Sequence, residues 1–476
     1  MLNQGEFKEL CVNPTIEIGV GYTSRTKNGG SRYNIFRIED DPEFCQALID
    51  LGSDDWTSER LQGLQQRLLE RLVELGVIFQ SGKALRVNPA VEIGAGYRLR
   101  TRNEGAKFGT LGVKNNPELC RLLIEFGGGH WTPERLRDIP QHLLEQLVEL
   151  GILIRDGEID EAQFLCLSDR PHLDLIPRKF RQLRDAGGES SELVVNRGVH
   201  AQAGPELPVG LADRIPFCNQ FRRSEGIIWV EDPGTKVLAP YWMKAQSMEL
   251  VQRLLEGQIS PYDLPAQILE RLVHMNVLVP KNYEEARIKE WQGIYKDLYA
   301  RLRSEQYVAI RDMVHPLQLA SLRHYFRLLD QKGGLFIDTY QGNNRFVWQN
   351  DAAARFVHHQ ITGIISQIVP EPIKPSYSLL SIYKSGAILK KHTDRPQCVW
   401  NLSLLIDSNP EVEVSDSWPI YFEIEGQVKD VRLDMGDGVL YSGTDIPHWR
   451  DALPDGHTAT LILCHFVPSD FGGSLY

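Results

Sequence analysis

The stretch "LKKHTDRP", Leu389 to Pro396, sits in the last fifth of the 476-residue chain and decides how the residues around it are read. It places His392 and Asp394 two residues apart, after an apolar segment and a Gly-containing turn, "LLSIYKSG". On an extended backbone residues i and i+2 face the same side, so the two side chains can converge on one point. A lone His-x-Asp is most often a surface turn. A third ligand from another strand of the same face would make it a metal site, and "GDGVLYSGTDIPHWRD" supplies His448, 54 positions beyond Asp394. His457 and His465 are alternatives for that third place.

The surroundings read as a small antiparallel barrel. From about Glu284 a polar helix leads to "YVAIRDMVHPLQLASLRHYFRLLDQKG", a strand and then an amphipathic helix, and "RFVHHQITGIISQIV" reads as another helix. Short strands follow: "SYSLLSIYKSG", "CVWNLSLLID", "PIYFEIEG", "QVKDVRLDMGDGVLY" and "ATLILCHFV". Turn signals such as Gly436-Asp437-Gly438 separate several of them, as a jelly roll requires. Two imidazoles and one carboxylate on one face of an octahedral metal are the donor set of non-haem Fe(II) oxygenases.

The order Tyr383, Gly386, Leu389, His-x-Asp, apolar strands, Gly-Asp-Gly, apolar strand and His448 resembles the 2-oxoglutarate- and Fe(II)-dependent dioxygenases, in their prolyl-hydroxylase-like branch, over about 305–470. The resemblance implies a double-stranded β-helix with Fe(II) on His392, Asp394 and His448. It also implies 2-oxoglutarate and O2 as co-substrates, succinate as a product, and hydroxylation of a C–H bond. Asp394 sets the chain apart from halogenating relatives, in which a small residue replaces the carboxylate and opens a chloride site. One departure stands out. The family usually carries an Arg or Lys nine or ten residues after the distal His, to pair with the far carboxylate of 2-oxoglutarate. Here those positions are His457 and Thr458, and neither forms a guanidinium fork. Arg450 with Tyr383 is the first substitute, because Arg450 shares the strand face of His448; His457 is the second. Arg395, Trp400, Asn401 and Trp449 fall near the expected mouth as candidate substrate contacts, while Cys464 and His465 read as interior packing and edge residues.

The N-terminal third is a duplication. "VNPTIEIGVGY" at Val12 recurs as "VNPAVEIGAGY" at Val87, and the same offset of 75 carries Arg25 to Arg100, Pro42 to Pro117, Cys45 to Cys120, Trp56-Thr57 to Trp131-Thr132 and Gly76 to Gly151. Each unit reads as two or three strands, a helix, a short Thr-capped segment, and an amphipathic helix running through a Gly into a strand. A diverged third copy is expected at about 225–282, where "ILERLVHMNVLVP" follows "LLERLVELGVIFQ". The pattern resembles winged-helix modules, in particular the small peptide chaperone of pyrroloquinoline quinone biosynthesis and the recognition elements of ribosomally made, modified peptides (RiPPs). That resemblance implies a leader peptide added as a strand to a sheet edge. A packing or dimerisation scaffold, and DNA binding, are the other readings. The basic stretch "RLRTRNEGAK", with Arg98, Arg100, Arg102 and Lys107, suits a solvated hairpin or an acidic peptide.

Composition narrows the partners. A net charge of −11 opposes general nucleic-acid binding. No apolar run approaches the ~18 residues of a membrane span, and "MLNQGEFKELCVNP" has no basic segment leading into an apolar one, so neither membrane nor secretion is expected. Seven scattered cysteines without a CxxC pair fit a reduced, cytoplasmic setting.

The chain is therefore expected to be an α+β multidomain protein: tandem winged-helix-like repeats at 1–82 and 83–158, an irregular connector at 159–224, a third repeat at 225–283, and a double-stranded β-helix (jelly-roll) domain with leading helices at 284–476. The expected function is hydroxylation of a side chain in a ribosomally made peptide recruited by the repeats. The alternatives are a hydroxylase of a free amino acid or small metabolite, with the repeats as scaffold of a homo-oligomer, and a non-catalytic protein with a decayed barrel.

Overall fold

The computed structural model describes residues 10–12, 17–25, 31–36, 42–53, 57–75, 77–81, 84–87, 91–101, 105–127, 136, 139–150, 152–155, 175–181, 192–202, 207–211, 214–215, 226–243, 245–331, 335–338, 342–473 and 475. It divides into two compact units, Met1–Phe164 and Leu165–Phe471. No described helix is long and apolar enough to cross a membrane.

In the first unit, copy one runs β1 (Leu10–Val12), β2 (Glu17–Arg25), β3 (Ser31–Phe36), α1 (Pro42–Ser53), α2 (Ser58–Gln62), α3 (Gln66–Glu74) and β4 (Ile78–Ser81). Copy two runs β5 (Ala84–Val87), β6 (Val91–Thr101), β7 (Gly105–Gly112), α4 (Pro117–Gly127), α5 (Gln141–Glu149) and β8 (Leu153–Arg155). Local chemistry sets these elements. Pro42 and Pro117 open α1 and α4, where the missing N–H costs nothing. Thr57 caps α2 by accepting from Arg60 N at 3.3 Å. Buried leucines at helical spacing, Leu68 and Leu72 in α3 and Leu143, Leu144 and Leu147 in α5, fix the core-facing stripe. The repeated cysteines also have a common partner: Cys45 Sγ donates to Phe36 O and Cys120 Sγ to Leu111 O, the same hairpin position in each copy. Trp131-Thr132 and the side chains of the basic stretch from Arg98 to Lys107 lie outside the described residues.

The copies are not self-contained. β4 of copy one pairs with β5 of copy two, Ile78 opposite Val87, and β8 of copy two pairs with β1 of copy one, Leu153 opposite Val12. These are the same pair 75 residues apart, so each closing strand is completed by the other copy's opening strand. The hairpins join in one sheet, ordered β3-β2-β6-β7. At its centre Val20 faces its own counterpart, Ala95, while Ile18 faces Tyr97 and Tyr22 faces Ile93. The register is that of a two-fold pair built inside one chain. Gly94 is required there, because a Cβ would overlap the backbone carbonyl of Leu111. Ile18 belongs to the buried core of copy two. Two independent winged-helix modules at 1–82 and 83–158 are thus replaced by one unit with exchanged strands.

In the second unit, the third copy comprises β9 (Leu193–Val195), β10 (Val199–Gln202), β11 (Gly226–Glu231), β12 (Leu238–Met243), α6 (Ala245–Leu255), α7 (Ala266–His274) and β13 (Leu278–Pro280). Its closing strand β13 pairs with its own opening strand β9, Leu278 opposite Val195. The copy therefore starts near "LVVN" at Leu193, inside the stretch expected as connector, and not at 225. Asn196 ties the ends together: its Nδ2 donates to Asn276 O at 3.0 Å and its Oδ1 accepts from Gly198 N at 2.9 Å. α7 closes in a Schellman turn, with Val277 N donating to Leu272 O at 2.9 Å and Asn276 at φ 57. The bonds Val77 N to Leu72 O and Ile152 N to Leu147 O repeat it in the first unit.

The rest of the unit is α8 (Tyr283–Glu305), β14 (Tyr307–Ile310), α9 (Pro316–Gln331), β15 (Phe336–Asp338), β16 (Arg345–Gln349), α10 (Ala352–Ser366), β17 (Ile373–Tyr383), β18 (Leu389–His392), β19 (Trp400–Asn409), β20 (Ile420–Ile424), β21 (Gln427–Val431), β22 (Gly438–Ser442), β23 (His448–Arg450) and β24 (Thr458–Pro468). They form two antiparallel sheets, β14-β22-β19-β24-β17-β16-β15 and β18-β23-β20-β21, and α9 and α10 pack on the larger sheet at β19 and β17. This is the expected jelly roll. Two carboxylates tie it to its surroundings. Asp407 on β19 holds Arg323 and Arg327 of α9 at 2.7 and 2.6 Å. Asp437, in the Gly-Asp-Gly turn, accepts from Arg311 at 2.6 Å, Asp312 N at 3.0 Å and Lys179 at 3.1 Å.

Candidate metal centre and its pocket

The smaller sheet brings the ligands together. β18 and β23 pair with His392 directly opposite His448, and their rings lie 4.4 Å apart. Asp394 follows two residues beyond His392, with Oδ1 3.4 Å from His392 Nε2 and Oδ2 3.8 Å from His448 Nε2. One donor atom from each of the three falls within 4.8 Å of the others. The tautomers are set by the backbone. His392 Nδ1 lies 2.7 Å from Lys390 O and His448 Nδ1 lies 2.9 Å from Ile446 O. A carbonyl can only accept, so each Nδ1 carries a proton and Nε2 is the nitrogen each ring turns toward the shared point for a metal. Two imidazole nitrogens and a carboxylate, all aimed inward, fit a divalent iron.

Electrostatics hold the set in place. Burial opposes charge on His392, but the Asp394 hydrogen bond and the Lys390 carbonyl outweigh it and raise its pKa above the ordinary imidazole value. Burial works against the Asp394 carboxylate too, yet the neighbouring histidines keep its pKa below the usual range. His448 is pushed down by burial, partly offset by Asp394. Asn401 supports the carboxylate, its Nδ2 donating to Asp394 Oδ2 and to Tyr441 Oη, each at 2.8 Å. Behind Asp394 lies Gly443, whose carbonyl accepts from Asp394 N at 2.8 Å. A Cβ on Gly443 would stand 2.6 Å from Asp394 Oδ2 and closer still to Cys398 O.

The ligands open into a cavity of about 490 Å³ between the two sheets. Tyr383 and Arg450 line it. Arg450 is 4 % exposed; burial lowers its pKa to about 10. Its guanidinium donates to Trp418 O at 2.9 Å and lies 4.8 Å from the Trp418 ring. Among the described residues no carboxylate pairs with it. Arg395 also lines the cavity, stacked over Tyr377 at 5.0 Å.

Other expectations fall elsewhere. His457 lines a separate small pocket behind Arg450, away from the ligands. Trp449 lies between His448 and Arg450 on the opposite strand face, stacked on Tyr421 at 5.6 Å, and Trp400 bonds Glu371 outside the cavity. His465, expected at an edge, is 3 % exposed and lines the cavity; burial drives its pKa to about 4, so it is no cation there. Arg345, which sequence reasoning missed, is buried in the same cavity with its charge met by Asp338 at 3.0 Å.

No protein-family model matches the chain, and no curated protein matches its sequence. Solved structures similar to part of it include a prolyl-4-hydroxylase from Pseudomonas putida, at 14% identity over 37% of this chain and 98% of that one, with a TM-score of 0.31. Another is SnoN, a non-haem α-ketoglutarate-dependent epimerase of nogalamycin biosynthesis, at 12% identity over 37% of this chain and 84% of that one, TM-score 0.33. A third is a prolyl hydroxylase from Trichoplax adhaerens, solved with a peptide fragment of hypoxia inducible factor, at 11% identity over 38% of this chain and 92% of that one, TM-score 0.34.

Proposed function

We propose that the jelly-roll domain is an Fe(II)- and 2-oxoglutarate-dependent oxygenase that hydroxylates a C–H bond. The observation that carries this is Arg450, a buried guanidinium without a carboxylate partner in the cavity of the His392–Asp394–His448 set. An isolated buried cation is costly, and a site that keeps one is built for an anion. In this reading His392, Asp394 and His448 hold the iron, while Arg450 and the Tyr383 hydroxyl grip the far carboxylate of 2-oxoglutarate. Bound iron and 2-oxoglutarate would supply the oxidising chemistry, with succinate and CO2 as by-products. Asn401 orients Asp394, and the Lys390 and Ile446 carbonyls fix the tautomer and the turn of the two imidazoles. The intact ligand set speaks against a decayed barrel.

The substrate proposed is a side chain of a ribosomally made peptide recruited by the repeats. In the first unit β3 and β7 form the two ends of the four-stranded sheet, where a strand could add, and tethering would supply an effective concentration on the order of mM. The second reading, a free amino acid with the repeats as scaffold, is favoured by the pairing of β2 with β6, which uses the inner edges of the two hairpins for packing.

The test is succinate release. Wild type should form succinate only with Fe(II), 2-oxoglutarate and O2, His392→Ala should form none, and Arg450→Gln should raise the KM for 2-oxoglutarate by about tenfold or more. A folded protein forming no succinate, or an unchanged KM in Arg450→Gln, would overturn the proposal.

A further inference from the structure

The cavity has two ends, and 2-oxoglutarate at Arg450 would fill only one. In the β18–β23 pair Arg450 stands opposite Leu389, before His392, while Arg395 comes after Asp394, so the two guanidiniums flank the ligands on opposite sides. β17 runs the length of the cavity and contributes Tyr383 near Arg450 and Tyr377 under Arg395. Six residues of strand separate these tyrosines by roughly 20 Å. The Tyr377 end is lined with polar groups whose bonding capacity the protein meets only in part. Arg395 is exposed and has no carboxylate partner among the described residues. His465 packs on Tyr377 at 4.4 Å between ring centres, and its buried Nδ1 makes no hydrogen bond. Asn401 uses its Nδ2 on Asp394 and Tyr441, which leaves its buried Oδ1 unbonded.

We propose that this end binds the substrate through a free carboxylate on Arg395, beside an N–H group donated to Asn401 Oδ1 or His465 Nδ1. The substrate is thus an amino-acid unit with an unblocked carboxylate. This rests on the oxygenase reading, because it takes the Arg450 end as occupied by 2-oxoglutarate. The same chemistry is offered by a free amino acid and by the C-terminal residue of a peptide. A carboxylate forms charge-assisted hydrogen bonds with the guanidinium that the corresponding amide cannot match, so the acid is preferred. Tyr377 presents an aromatic face beneath Arg395, which keeps the fork oriented without neutralising it.

The experiment is anaerobic calorimetry on the full chain loaded with Fe(II) and saturating 2-oxoglutarate. The probes are the free L-amino acids, their N-acetyl derivatives as stand-ins for a peptide C-terminus, and the carboxamide of each. Acids should bind about tenfold or more tighter than their amides, and Arg395→Gln should reduce that preference to below about twofold. Binding of free amino acids alone identifies the small-molecule source; binding of the N-acetyl series identifies the peptide terminus. In Arg450→Gln, 2-oxoglutarate binding should weaken while the acid-over-amide preference persists. Equal binding of acids and amides, absence of binding by every probe, or loss of 2-oxoglutarate binding in Arg395→Gln would overturn the assignment. A protein that fails to bind 2-oxoglutarate at all refutes the oxygenase reading instead, so the two failures are distinct.

Discussion

Gly443→Ala is a one-carbon perturbation aimed at the metal. The added Cβ would sit 2.6 Å from Asp394 Oδ2, whereas an ordinary carbon–oxygen contact needs about 3.4 Å. Gly443 cannot easily retreat, because its N–H donates to Val399 O at 3.0 Å and its carbonyl accepts from Asp394 N at 2.8 Å. The Cβ would also overlap Cys398 O, so the Asp394 carboxylate gives way by roughly 0.8 Å or the segment from Asp394 to Cys398 shifts with it, several times the ~0.2 Å tolerance of a metal–ligand distance. Displacing a ligand's support in this way weakens metal affinity about 10- to 100-fold, or about 1.4–2.7 kcal/mol. Titration of Co(II) against a chromophoric chelator measures it directly, with a thermal melt to confirm that the domain remains folded. Affinity within twofold of wild type would show that Asp394 is not held against Gly443 as described.

Metal binding should also depend on pH through His392. Its pKa is raised in the metal-free protein, so below that value a proton must leave for metal to bind, and affinity should fall about tenfold per pH unit. The same proton stabilises the metal-free fold at low pH, a contribution lost as pH rises through the raised pKa; calorimetric affinities that stay flat down to pH 5 would refute this. Asp407→Asn should destabilise the second unit by about 3–5 kcal/mol in chemical denaturation, because it leaves the buried Arg323 guanidinium (3 % exposed) without its anion. A loss below about 1 kcal/mol would show that the pair is dispensable.

Much of the candidate centre was legible because strand geometry is periodic. His392 and Asp394 at i and i+2, and His448 with Arg450 at the same spacing, needed only the rule that alternate residues share a face. The same rule, applied once more, would have turned Trp449 outward, since it falls between His448 and Arg450. It would also have separated Trp400 from Asn401. His457 was put forward by a sequence distance, and the turn before β24 carries it to the far side of Arg450. Gly443 and Arg345 gave no signal, because their roles depend on which backbone lies behind them. The duplication was plain at an offset of 75, but the partner of each closing strand was not. "LVVN" at Leu193 repeats the "LCVN" and "LRVN" that open the first two copies, yet the residues between β10 and β11 separate it from its hairpin and hid it in the connector.

The exchanged strands also bear on how the chain is made. Leu10–Val12 is made more than 140 residues before the end of its partner strand at Arg155. At ordinary rates of synthesis that strand waits roughly 10–30 s for its neighbour, with its backbone donors and acceptors unpaired in the sheet direction. The third copy has no such interval to cross to another module, because β9 and β13 lie within one copy. The N-terminal unit thus closes only once both copies have been made, whereas the third copy can close its own pair as soon as β13 is made.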